Sequence, residues 1–287
     1  MKSSPLRSNR CGALLLSVAL LSLTTAALSS AQGSQSKGPP PMRAPKLPPL
    51  PKTPRVPTTF EELFVYRDLR ARAALDYLRC MQSTVTALRT GGLGRVPTAW
   101  SITCIQQGEE WRGVFGELSD TAPGMQVHLQ YAMRGNGAVV KDPVDTARVN
   151  GTARALLRGL SAPLAHSAAY EFVPIALPQA GYVEVWFIPL PGNPTRVVVG
   201  GDSLIQMSED GVRELGHSRA TPSVRTMAIE PTGQSYTLQS TEERVPLLSE
   251  LVIARMALGL VPEVHVRTYQ YDSVITRTSD TWTHTRR

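Results

Sequence analysis

No acidic residue occurs in the first 57 positions of this 287-residue chain, although 23 occur in the rest. The formal net charge of +7 therefore comes from cations placed ahead of a near-neutral body: residues 58–287 hold 22 basic and 23 acidic side chains. Such a body leaves no counterion-release footprint, and aromatics, at 6% of the chain, are too sparse for a base-stacking platform, so nothing points to nucleic acid. Cysteine is scarce, with three residues and no Cys-x-x-Cys. Beyond the N-terminal thirty residues no apolar run approaches the length of a membrane span, so the mature chain carries no predicted span.

Motifs that would announce chemistry are also missing. The five histidines (His128, His166, His217, His265, His284) show no His-x-x-x-His spacing, and no Gly-x-Ser-x-Gly elbow occurs. Gly91-Gly92-Leu93-Gly94 lacks the Lys-Ser/Thr of a phosphate-binding loop. The adjacent acids Glu61/Glu62, Glu109/Glu110, Glu209/Asp210 and Glu242/Glu243 all adjoin predicted turns or helix starts, where carboxylates cap and solvate. Neither a metal site nor a cofactor is predicted.

What is present begins with an address. Lys2, Arg7 and Arg10 precede an apolar stretch from Gly12 to about Leu28, and Ser29-Ser30-Ala31 supplies small residues at a cleavage site. Residues 1–31 thus have the layout of a secretory signal, with Gln32 as the mature start; an uncleaved membrane anchor is the alternative. Export favours a disulfide between the two remaining cysteines, Cys80 and Cys104, against the alternative of two separately buried thiols. Residues 32–57 form a basic spacer with nine prolines among positions 33–57, which reads as extended polyproline II because proline fixes φ and removes a donor. Its Lys37, Arg43, Lys46, Lys52 and Arg55 would allow loose contact with anionic envelope polymers or headgroups; a plain tether is the other meaning.

The body spans 58–277. Thr58 or Thr59 with Glu61 or Glu62 fits a capping box, and Ala71, Ala74, Leu75, Leu78, Met81, Val85 and Leu88 make one helical stripe that Gly91-Gly92 stops. Arg67, Arg70, Arg72 and Arg79, with Asp68 and Asp76, read as that helix's solvated face. The period then changes to two, predicting strands at 99–106, 111–118, 125–134, 170–177, 182–190, 195–207, 212–217 and 263–276. Asn136-Gly137 signals a hairpin turn. Further helices are expected near 145–159 and 246–259, the latter with Pro246 at its start. His128 and His265 fall at outward-looking strand positions, and Asn150-Gly151-Thr152 fits a glycosylation acceptor, though inside a predicted helix. The expected fold is α+β: antiparallel, meandering sheets with about three helices, as one body or as two lobes meeting near 141–165, and a flexible tail at 278–287.

Val197-Val198-Val199-Gly200-Gly201-Asp202-Ser203 is the most conspicuous short segment. A glycine pair in a strand marks a bulge or close backbone approach. It either aims Asp202 or Ser203 into a site, or is a kink in which Asp202 bonds local backbone N–H groups. Gly200-Gly201-Asp202, the later Asp210-Gly211 and His217-Ser218, preceded by Tyr182 and Trp186-Phe187-Ile188-Pro189, resemble a pattern in uncharacterised exported bacterial proteins. That resemblance covers roughly 150–225; it implies a secreted bacterial origin and transfers no catalytic residue. An excess of Arg over Lys, 21 to one after residue 57, agrees with a GC-rich genome. Two functions follow as expectations. The first is a non-catalytic envelope or periplasmic domain that binds a partner or supports an assembly. The second is a hydrolase-like enzyme with a site at Asp202 and His217.

Overall fold

The structure, a computed structural model, describes residues 58–90, 100–108, 110–119, 124–132, 144–160, 172–189, 196–219, 224–228, 233–240, 242 and 244–287. The signal, the proline spacer, the Asn136-Gly137 turn and His166 lie outside the described residues. The described residues comprise α1 (Phe60–Thr90), β1 (Trp100–Gln107), β2 (Glu110–Ser119), β3 (Gly124–Ala132), α2 (Thr146–Leu160), β4 (Phe172–Gln179), β5 (Tyr182–Pro189), β6 (Arg196–Val199) and β7 (Ser203–Ser208). They continue with β8 (Glu214–Arg219), β9 (Arg225–Ala228), β10 (Ser235–Gln239), α3 (Leu248–Ala257), β11 (Glu263–Arg267), β12 (Tyr271–Thr276) and β13 (Ser279–Arg286).

The fold is α+β, as the change of hydrophobic period requires. Three sheets run β1-β2-β3, β4-β5-β7-β8 and β10-β11-β12-β13, with β6 and β9 pairing as a separate ribbon. Pairing is antiparallel except between β10 and β11, which are parallel because α3 carries the chain from one to the other. The expected strand 195–207 is two strands in different sheets. β6 pairs β9, whereas β7 pairs β5 and β8, and the chain changes sheet at Gly200–Asp202. Both glycines there have positive φ, 94° and 73°. A Cβ on Gly201 would stand 2.7 Å from Val224 Cγ2, so glycine is required on two counts. The expected strand 263–276 is likewise a hairpin, β11–β12.

The flexible tail expected at 278–287 is instead β13, paired with β12. Only Trp282 of its eight residues is buried, so hydrophobic pattern alone does not reveal it. Trp282 and His284 face α1, where they meet Phe64 edge-to-face at 5.2 and 4.4 Å, and Phe60 stacks on Tyr271 at 3.7 Å. The start of α1 is thereby gripped by the last hairpin of the chain.

Helix α1 begins as its capping box foretells. Thr59 Oγ1 accepts from Glu62 N at 3.2 Å, while Glu62 Oε2 accepts from Thr58 N at 3.0 Å. Its buried line runs Phe64, Asp68, Ala71, Ala74, Tyr77, Cys80, Thr84, Leu88 and faces the other elements of the main core. Cys80 stands at disulfide distance from Cys104 of β1, with Cα atoms 6.2 Å apart and both residues fully buried. Helix α2 packs on β3 and β4 and on the β7–β8 turn, where a Cβ at Gly151 would lie 2.0 Å from the Glu209 carbonyl oxygen. Thr152 of the sequon is fully buried in that helix.

Candidate functional site

The first turn of α3 is where chemistry-bearing groups from the largest number of elements converge. Its N-cap residue is Leu247, which has no side-chain acceptor for the open N–H groups of a helix start. Two acids substitute. Glu250 turns back to accept from Leu247 N at 2.9 Å, and Asp202, from the β6–β7 corner, accepts from Ser249 N at 2.7 Å through Oδ2. Ser249 completes the joint by accepting from Gly200 N at 3.1 Å. From α1, Arg67 Nη1 donates to the carbonyls of Val245 and Pro246 at 2.8 and 2.7 Å. From the ribbon, Arg225 Nη2 donates to Glu250 Oε1 at 3.0 Å, and Ser240 Oγ, just past β10, to Glu250 Oε2 at 2.6 Å.

Asp202, Ser249 and Glu250 are all at most 2% exposed. Glu250 is well matched, with a guanidinium, a hydroxyl and an amide on two oxygens. Asp202 is not: Oδ1 has no partner, and neither do Arg225 Nε and Tyr236 Oη nearby on the chain's ribbon and third sheet. Burial, reinforced by the charge of Glu250, pushes the Asp202 carboxyl up to about 6, against the bonds from Ser249 and the charge of Arg67. The local backbone partner expected for Asp202 is corrected. Asp202 bonds a backbone N–H 47 residues away, not a local one.

His217 is elsewhere. It lies on β8 opposite Ile205, exposed, with Nδ1 2.7 Å from Glu214 Oε1. No hydrogen bond among the described residues joins it to Asp202. The structure thus does not bring the two candidate residues together, and no group of three or more metal-ligating side chains occurs among the described residues. His265 does sit on the outward face of its sheet, but it is held between Glu263 Oε1 at 2.8 Å and Asp272 Oδ1 at 3.2 Å. The side chain of His128 lies outside the described residues.

Two further buried acids escape the sequence reading: Asp68, among arginines that look like a wet helix face, and Glu184, a single acid in an apolar strand. Asp68 is 6% exposed; it takes both Arg255 Nε and Nη2 at 2.7 Å, Trp282 Nε1 at 2.9 Å and Arg72 Nε at 3.2 Å. Arg255 and Arg72 also reach Asp280 of β13. Glu184 of β5 is fully buried and accepts from Arg70 Nε at 2.6 Å, Tyr66 Oη at 2.8 Å and Trp186 Nε1 at 3.1 Å. Burial and the adjoining carboxylate both raise the Tyr66 phenol, which stays a donor. The expected solvated face of α1 is corrected in part: Asp68, Arg70 and Arg72 join it to β5, α3 and β13, while Arg79 and Asp76 form an exposed pair. An i, i+4 Arg–Asp spacing is compatible with either outcome, and only the approach of β5 and α3 decides between them.

Comparison with protein-family models, with curated proteins and with solved structures finds no match for the chain in any of the three. No helix among the described residues is long and apolar enough to cross a membrane.

Proposed function

We propose that this chain is an exported envelope domain that acts by binding or by supporting an assembly rather than by catalysis, held at a distance by its proline-rich spacer. The observation that carries this reading is the use made of its buried acids. Among the described residues Asp68, Glu184, Asp202 and Glu250 are the buried carboxylates, and each accepts hydrogen bonds from another part of the fold. Groups held this way fix helices against sheets. A catalytic carboxylate needs instead a reacting group within reach and a partner poised to trade protons with it.

Location follows from the N-terminal pattern: residues 1–31 direct export, and residues 32–57 are the tether. Lys37, Arg43, Lys46, Lys52 and Arg55 supply a charge that rests weakly on anionic envelope polymers. The hydrolase-like alternative would require Asp202 and His217 to act jointly, and the geometry gives them no shared partner.

The test is made on the full chain expressed in a bacterial host. The exported fraction should hold a protein whose intact mass begins at Gln32; retention of Met1 overturns the cleaved-export part. In-cell cross-linking should join the chain to an envelope component, and Asp202→Ala should leave that yield unchanged if the fold is intact. Hydrolysis of ester, amide or glycoside substrates that Asp202→Ala abolishes without unfolding would overturn the binding role.

A further inference from the structure

We propose that Asp202 is a proton-operated latch: with its carboxyl neutral the β6–β7 corner is closed on α3, and ionisation releases it. The corner is attached to α3 through one residue, Ser249, by two bonds in opposite directions, Ser249 N to Asp202 Oδ2 and Gly200 N to Ser249 Oγ. Asp202 is 2% exposed and its second oxygen has no partner, so a charge formed there meets neither water nor a donor for that oxygen. An asparagine would accept from Ser249 in the same geometry without carrying a charge. The acid adds only a proton dependence.

The charged surroundings are defined on every side. Burial and then Glu250 of α3 oppose ionisation, whereas the bonds from Ser249 favour it. Arg67 of α1 favours it, but its Nη1 is already committed to the Val245 and Pro246 carbonyls. Arg225 of β9 is taken by Glu250. Around Gly201 the neighbours are Val224 and Phe172, which offer nothing to an anion. The balance places the transition near pH 6, the value to which burial raises this carboxyl. Gly200 and Gly201, both at positive φ, supply the hinge about which the corner swings. The latch operates whether the domain binds a partner or not, so it stands apart from the proposed role.

Amide hydrogen exchange on the full chain tests it, read at Gly200–Ser203 and at Ser249, with α2 as the internal control and with intrinsic rates corrected for pH. One proton is released on opening between the ordinary carboxyl value and the raised one, so protection at the corner should fall about tenfold per pH unit from about 4 to about 6 and level off above it, while α2 is unaffected. Asp202→Asn should hold the corner's protection constant from pH 4 to 8. Constant protection in the unaltered chain, or the same loss in Asp202→Asn, overturns the latch. Should Asp202→Asn fail to fold, carbon-13 carboxyl resonances of the unaltered chain decide: a titration midpoint near 6 that coincides with opening supports the latch, and one near 4 overturns it.

Discussion

Asp202, which is buried, and His284, an exposed residue whose ring packs edge-on against Phe60 and Phe64, carry protons that act on stability in opposite directions. Asp202 is raised from 3.8 to about 6, so its stabilising contribution is complete below the unfolded value and is lost as pH rises through 6. His284, edge-on to Phe60 and Phe64 with Nδ1 2.9 Å from Ser273 Oγ, is lowered from 6.5 by burial, against the pull of Glu61 and Asp68. The native state keeps it neutral while the unfolded chain takes up a proton. Its contribution is therefore present above 6.5 and lost as pH falls through the depressed value. With Asp202→Asn in place to remove the opposing slope, the urea midpoint should fall between pH 7 and pH 5; adding His284→Gln should flatten that fall. Glu184 is a simpler case. Glu184→Gln leaves the Arg70 charge against an apolar β5 without its counterion, which should cost about 3–5 kcal/mol in urea denaturation. Of these groups the sequence singled out only Asp202, through the glycines beside it. Asp68 and Glu184 carry no local signal, because an acid is buried only where donors from other elements arrive to meet it.

At the scale of elements, periodicity located all three helices and most strands to within a few residues, since each buries one face and the spacing of apolar side chains records which. It failed where a strand buries too little to show a pattern. β13 presents Ser279, Asp280, Thr281, Thr283, Thr285 and Arg286 to solvent, and its place is decided by pairing with β12 and by Trp282 reaching Asp68. It also failed at Gly200–Asp202, where one continuous apolar run serves two sheets. Cys80 of α1 and Cys104 of β1, separated by 24 positions, stand at disulfide distance. The double variant Cys80→Ser/Cys104→Ser should lose roughly 3 kcal/mol by the chain-entropy estimate, measured as a lower urea midpoint. Denatured but unreduced mature protein should show no free thiol from this pair.

At the scale of the molecule, the described residues from Thr58 onward lie within one contact unit that extends from Pro49 to Arg287. A chain beginning at Thr58 should unfold cooperatively with a midpoint within about 2 °C of the chain beginning at Gln32, because Thr59, Glu62, Phe60 and Phe64 keep their partners without the spacer. A much lower midpoint would mean that the spacer contributes packing. The amino-acid sequence by itself determined the contrast between 57 acid-free residues and a near-neutral remainder, the helix and strand periods, and the candidacy of Cys80 for Cys104, because composition, alternation and count are local or additive properties. The tertiary structure alone decided that Asp202 caps α3 while His217 points elsewhere, that Arg70 and Arg72 of α1 neutralise buried acids, and that the C-terminal residues close a sheet. Each of those outcomes depends on groups tens to hundreds of positions apart being brought within hydrogen-bonding distance, and hydrogen bonding, unlike hydrophobic patterning, leaves no period in the chain.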